Sequence, residues 1–220
     1  MDDFPRNSAC ISCSLHTAAR SVCVPTRHHD PSLPPSADVP ILFVIGQNPG
    51  PSEDRACRAY VGDSLVYLED IYFGLPNLPS ICCIYLTNAA RCGPSEVKPS
   101  QSNRCLPLYT IPDLHQVLAP HNPKVHFAIL LLGGVASASF YHTLTGTGLS
   151  ATEAIRINGS PLTICDRPIP IFTTWNPAAL LRNQSLLMEV TMHMQLVRDF
   201  FDGIMAVPSR PTFIPPRYPQ

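Results

Sequence analysis

Four apolar runs, each closing on a small or polar residue or a turn, constrain this chain more than any other feature. They are Pro40 to Gly46, Ile81 to Leu86, His126 to Leu132 and Ile169 to Thr173. Their apolar residues are continuous rather than alternating, so each reads as a strand buried on both faces, as strands of parallel sheets are. Helical patterns separate or follow them, around Ser64 to Phe73, Pro112 to Leu118, Val135 to Leu144 and Ala178 to Gly203. Alternating strands and helices predict an α/β fold with a short parallel sheet covered on both faces.

The 220 residues suit one apolar core. We expect a single domain over residues 1–207, whose first 39 residues comprise a Cys-containing segment and a Pro-rich linker, followed by a Pro-rich tail at 208–220. A hydrophobic share of 45% against 14% charged residues excludes an intrinsically disordered chain. The longest apolar run, Phe127 to Val135, falls short of the roughly 20 residues a bilayer demands. Met1-Asp2-Asp3 also lacks the basic start of a signal peptide, so the expectation is a cytoplasmic protein without a membrane partner. A net charge of -1 provides no whole-molecule steering towards nucleic acid, although a local basic face is compatible with it. Lys98 and Lys124 are the only lysines beside 13 arginines, a balance that favours bidentate contacts to phosphates or carboxylates.

Nine cysteines need an explanation other than disulfides in a reducing compartment, and metal ligation is the leading one. Cys10 and Cys13 form a C-x2-C pair, to which Cys92 and Cys105 add two further thiols. Four thiolates suit either Zn2+ or an iron–sulfur cluster, and spacing does not separate the two. Cys23, Cys57, Cys82, Cys83 and Cys165 read as buried small hydrophobes.

Open parallel sheets bind ligands beyond the carboxyl ends of their strands. Three loops there carry an asparagine: Asn48 within Gly46-Gln47-Asn48-Pro49-Gly50, Asn88 after Thr87, and Asn176 before Pro177. Singly, an asparagine in a turn serves the backbone. Together, three amides at the ends of three core strands would face one cleft.

Cys10-x2-Cys13, the Gly46 to Gly50 motif, Glu53-Asp54, Tyr60-Val61-Gly62, Thr87-Asn88 leading to Cys92, then Cys105 and Asn176-Pro177-Ala178-Ala179-Leu180-Leu181-Arg182-Asn183 together resemble the ordered motifs of the uracil-DNA glycosylase superfamily. The overall likeness is to its family 4, the iron–sulfur uracil-DNA glycosylases, over about residues 10 to 200. Family 4 usually has Gly-Glu-Ala-Pro-Gly and a His-Pro motif where this chain has Gln47, Asn48 and Asn176. Those letters resemble the mismatch-specific, thymine-DNA-glycosylase-like branch.

The resemblance implies a three-layer α/β/α sandwich and a structural [4Fe-4S] cluster on Cys10, Cys13, Cys92 and Cys105, with Zn2+ the alternative. It implies a monomeric hydrolase that needs no nucleotide cofactor and flips a base out of single- or double-stranded DNA. Asn48 would orient the attacking water, and Asn176 would donate to the developing oxyanion at O2. The base would meet Gln47, Gly50 and the amide of Asn88, and would stack on Tyr60. Leu180 would be the wedge in the duplex, with Arg182 and Arg91 on backbone phosphates. Gly50 stands where strict uracil enzymes carry a bulky side chain against C5, so tolerance of 5-substituted pyrimidines is expected. Neither lysine falls in a matched motif, which implies base release without strand cleavage. Alternatives are anti-phage excision of hypermodified pyrimidines from viral DNA, a catalytically weak DNA-binding module, and a structural zinc protein.

Overall fold

In the computed structural model, which describes residues 4–29, 33–93, 96–150, 153 and 158–205, the four apolar runs form the centre of one six-stranded sheet. The strands are β1 (Arg27–His28), β2 (Ile41–Gly46), β3 (Cys83–Asn88), β4 (Phe127–Leu132), β5 (Ser160–Ile164) and β6 (Arg167–Thr174), in the spatial order β1-β3-β2-β4-β6-β5. β3, β2, β4 and β6 run parallel, and every residue of β2, β3 and β4 is buried. β1 and β5 are antiparallel edge strands that the apolar pattern does not reveal. The β5–β6 hairpin turns on Cys165 and Asp166, both with positive φ, the geometry of a tight primed turn.

The helices are α1 (Leu15–Ala18), α2 (Pro51–Ala56), α3 (Asp63–Tyr67), α4 (Pro99–Cys105), α5 (Ile111–Leu118), α6 (Gly134–Thr145), α7 (Pro177–Arg182) and α8 (Leu187–Phe201). Successive strand residues alternate between the two helical layers. Leu42, Val44, Ile84, Leu86 and Leu130 join Tyr72, Val190, Met194 and Val197 on one face. Phe43, Ile45, Ile129 and Leu131 join Leu114, Val117 and Phe140 on the other. The result is the expected three-layer α/β/α sandwich. A third, smaller cluster packs Leu15, Ala90, Cys92 and Val97 beside the N-terminal segment.

Two helical expectations change. The pattern from Ala178 to Gly203 is two helices, because Asn183 is extended (φ -144, ψ 93) and its side chain accepts from Ser185 N–H to start the next turn. Pro-containing surroundings of Cys105 suggest a loop, but Cys105 ends a helix, and a wide π-type stretch, Leu106–Thr110, connects α4 to α5. Pro107 in that stretch has no N–H to give and its ring opposes the carbonyl four residues back, which accounts for the widening. Among the described residues no helix is long and apolar enough to cross a membrane. The Pro-rich tail expected at 208–220 lies outside the described residues.

Candidate active site and thiol cavity

The three asparagines leave the same edge of the sheet. Gly46 pairs with Asn88 at the ends of β2 and β3, and the pairing runs on as Ala89 N–H and Ala90 N–H donate to Gly46 O and Gln47 O. On the other half, Gly133 N–H donates to Thr174 O at the ends of β4 and β6. A β-carbon on Gly133 would fall 3.2 Å from the Asn176 Cβ, so the two loops are in contact. Adjacent strands lie about 4.8 Å apart, which sets roughly 14 Å between the β3 and β6 ends, with the Asn48 loop between them.

Each amide is fixed differently. Asn48 donates through Nδ2 to Pro49 O (3.0 Å), which sets its amide plane, and Gln47 beside it is half-buried. Asn88 is buried, its main-chain carbonyl accepts from Thr110 Oγ1 (2.8 Å), and its Oδ1 faces Gly46. Asn176 caps α7: its Oδ1 accepts from Ala178 N–H (2.9 Å), leaving Nδ2 as the end with donors to offer a ligand.

Tyr60 is buried at positive φ, and its hydroxyl lies against Gly46 so closely that a β-carbon on Gly46 would overlap it. That hydroxyl has no hydrogen-bond partner among the described residues. Arg27 holds the strained turn by donating to Ala59 O (2.6 Å) and Tyr60 O (2.9 Å), a buried strut that sequence reading missed. In this state the Tyr60 ring is packed into the core rather than presented as an open stacking face. A β-carbon on Gly50 would come within 2.8 Å of Glu53 Oε2, the far end of a side chain that borders the loop. Glu53 in turn accepts from Val61 N–H (3.1 Å) and so ties the Gly50 loop to the Tyr60 turn.

Two DNA-contact expectations need correction. Leu180 is 1% exposed and belongs to the core; the adjacent Leu181, 39% exposed, is the apolar side chain that α7 presents to solvent, and Arg182 is exposed as expected. Arg91 is 2% exposed and already committed, donating to Asp113 (2.6 Å), Thr26 Oγ1, Thr110 Oγ1 and Val24 O. It is an internal tie, unable to reach a phosphate without breaking a buried ion pair.

The four expected ligand cysteines line one enclosed cavity, with Cys23, Arg91, Arg104 and Tyr109 also in its wall. Cys23 N–H donates to Cys92 Sγ (3.3 Å) and Arg91 N–H to Cys105 Sγ (3.2 Å). Burial pushes the Cys92 thiol up to about 11 and the Cys105 thiol up to about 12, so a bound metal would have to draw the protons off. Among the described residues no group of three His, Cys, Asp or Glu side chains is placed to hold a metal ion. One zinc at about 2.3 Å from four sulfurs needs them roughly 3.8 Å apart. The four sulfurs share that cavity, and two of them already accept backbone N–H groups. Of the other cysteines, Cys82 and Cys83 are buried in and beside β3 as expected, whereas Cys165 is exposed and Cys57 half-exposed.

The two sites adjoin. Asp54 accepts the N–H groups of Arg20 (3.0 Å) and Ser21 (2.8 Å), fastening the N-terminal segment to α2. A separate apolar hollow lined by Phe4, Ile41, Tyr85, Val117 and His121 opens where β2 begins, remote from Gly46.

No curated protein matches this chain. The family model for the uracil DNA glycosylase superfamily matches residues 34–200, which takes in β2 to β6, the Gly46 to Gly50 loop and the Asn176 loop. With a mostly parallel sheet between two helical layers and its polar loops gathered at the carboxyl ends of the strands, the chain belongs to the uracil DNA glycosylase superfamily.

Proposed function

We propose that the protein is a monofunctional DNA glycosylase that flips a pyrimidine, uracil or a 5-substituted relative, into the sheet-edge site and hydrolyses its N-glycosidic bond. Superfamily membership supports the reaction class. The observation that carries the mechanism is the divided use of Asn176, whose oxygen is spent on the α7 cap while its Nδ2 remains to donate. Cleavage puts negative charge on the departing base, and a donor held in place before the reaction stabilises it without reorganisation.

The other residues follow from their positions. Asn48, its amide plane set by the Pro49 carbonyl, orients the water with its oxygen. The Asn88 amide addresses the Watson–Crick edge, where it can supply both a donor and an acceptor. Gln47 and Gly50 border the base, and the Tyr60 hydroxyl gains a partner when the site fills. Glu53 beside Gly50 places a carboxylate rather than empty space near that wall, so a 5-substituent able to donate a hydrogen bond is better received than a plain methyl. Leu181 takes the place in the duplex that the base vacates, and Arg182 holds a backbone phosphate.

Cys10, Cys13, Cys92 and Cys105 would hold a [4Fe-4S] cluster, which supplies cross-linking of the N-terminal segment to the Asn88 and Arg91 loop rather than chemistry on the base. The test is mass spectrometry of bases released from DNAs containing uracil, thymine or larger 5-substituted pyrimidines, by the wild type and by Asn48→Ala. Release by the wild type, lost at least about 100-fold in Asn48→Ala with DNA affinity retained, supports the reading. No release of any base by the wild type overturns it, and strand cleavage without alkali or heat overturns the monofunctional assignment.

A further inference from the structure

The thiol cavity holds one sulfur more than a cubane cluster uses. Cys23 lines its wall with Cys10, Cys13, Cys92 and Cys105. It is 2% exposed and sits at φ +56, a left-handed conformation that a residue with a side chain keeps only when its surroundings enforce it. That turn aims the Cys23 N–H at Cys92 Sγ (3.3 Å), and the Cys23 side chain lines the same cavity as the four ligand cysteines.

The five sulfurs differ in enclosure. Cys23, Cys92 and Cys105 are buried, whereas Cys10 and Cys13 belong to the outer, half-exposed segment. Cys10 interacts with Ser12 Oγ at 3.5 Å in an exposed loop and also meets the Tyr109 side chain. Its segment is therefore the part of the ligand set that solvent or local opening can withdraw.

We propose that Cys23 is a reserve ligand of the cluster, able to replace Cys10. The inference rests on the cluster reading given above. The exchange moves one proton and no electrons: the iron–sulfur bond to Cys10 breaks, Cys23 gives up its thiol proton, its thiolate binds the same iron, and Cys10 leaves as the thiol. The number of thiolates on the cluster remains four throughout.

The experiment compares wild type, Cys23→Ser, Cys10→Ser and the double variant, each reconstituted anaerobically with iron and sulfide, by iron content and visible absorbance. Expected are a full cluster in the wild type and in Cys23→Ser, at least half of it in Cys10→Ser, and a tenth or less in the double variant. Equal iron in Cys10→Ser and the double variant overturns the inference while leaving the cluster intact as a reading; no iron in the wild type overturns both. Because Cys10→Ser can fail to fold, the loaded Cys23→Ser protein, which keeps its backbone N–H, is also challenged with a ferrous chelator. Iron release several-fold faster than from the wild type supports the reserve role, and an unchanged rate overturns it.

Discussion

A β-carbon on Gly93 would overlap the carbonyl of Pro49, so the loop carrying Cys92 is seated directly on the loop carrying Asn48. The atom in the way belongs to backbone, and no side-chain rotation can relieve the overlap. The same carbonyl accepts from Asn48 Nδ2, so a displacement of Pro49 moves the amide assigned to the water. Gly93→Ala is expected to cost about 1–3 kcal/mol of stability, as overpacking generally does. It should also slow single-turnover base release at least about tenfold, since small misplacement of a positioning group is amplified in rate. Measured release at the wild-type rate would show that the two loops are mechanically independent.

Arg91 and Asp113 form the ion pair that ties this region together. Replacing Arg91 by Met strands a largely buried carboxylate and takes away the Nε–H that Thr110 Oγ1 accepts, while Thr110 still donates to the Asn88 carbonyl. Removing one partner of a buried pair costs about 3–5 kcal/mol. A chain of this length should then lose on the order of 10 °C in its unfolding midpoint. A phosphate-gripping arginine would behave in the opposite way, with stability unchanged and a shallower salt dependence of DNA binding. Calorimetry and a salt titration of DNA affinity on the folded variant distinguish the two.

These residues also show how far the sequence could be read. The four parallel strands and the sandwich were legible because β2, β3 and β4 are buried on both faces, which forces continuous apolar runs. β1 and β5 were not, being short edges fixed by pairing with β3 and β6, and the Cys165-Asp166 turn lacks the usual Asn-Gly signal. The loops after the strands were found for the same reason as the strands. The errors at Leu180 and Arg91 arose because sequence order gives motif membership but not the side of a short helix or the depth of a loop. Leu180 and Leu181 are chemically alike, and only packing decides which one enters the core. Arg27 was missed because its work is done on the main chain of Ala59 and Tyr60, a contact that leaves no residue pattern.

Asn176 performs two tasks that a single substitution can separate. Asn176→Ala loses both the α7 cap, about 1 kcal/mol, and the donor. Asn176→Asp keeps an oxygen for Ala178 N–H, and aspartate caps as well as asparagine, so stability should stay within about 0.5 kcal/mol of wild type. It nevertheless removes the donor and sets negative charge facing a departing anion. Base release should fall by at least about 100-fold, the usual effect of losing one preorganised donor. Equal activity of Asn176→Asp and wild type, measured under single-turnover conditions, would remove Asn176 from the chemistry and leave it a helix cap.

His121 gives the fold a defined acid sensitivity away from the site. Its Nε2 faces Val39 O at 3.0 Å and its Nδ1 faces the Arg167 guanidinium at 3.4 Å. The neutral ring satisfies both, with Nε2–H donating and Nδ1 accepting; a second proton would bring Nδ1–H against a cation. Burial first, and Arg167 next among the groups that oppose the charge, hold its folded pKa below the ordinary value of 6.5. The unfolded chain therefore binds the proton more readily, and stability increases with pH wherever the two states differ. Full stability is present above about pH 6.5 and is lost progressively as pH falls towards and through the lower folded value. His121→Gln retains a donor for Val39 O and cannot titrate, so its unfolding midpoint should drop less than that of the wild type between pH 7.5 and pH 5. Parallel curves for the two proteins would mean that the acid-labile group lies elsewhere.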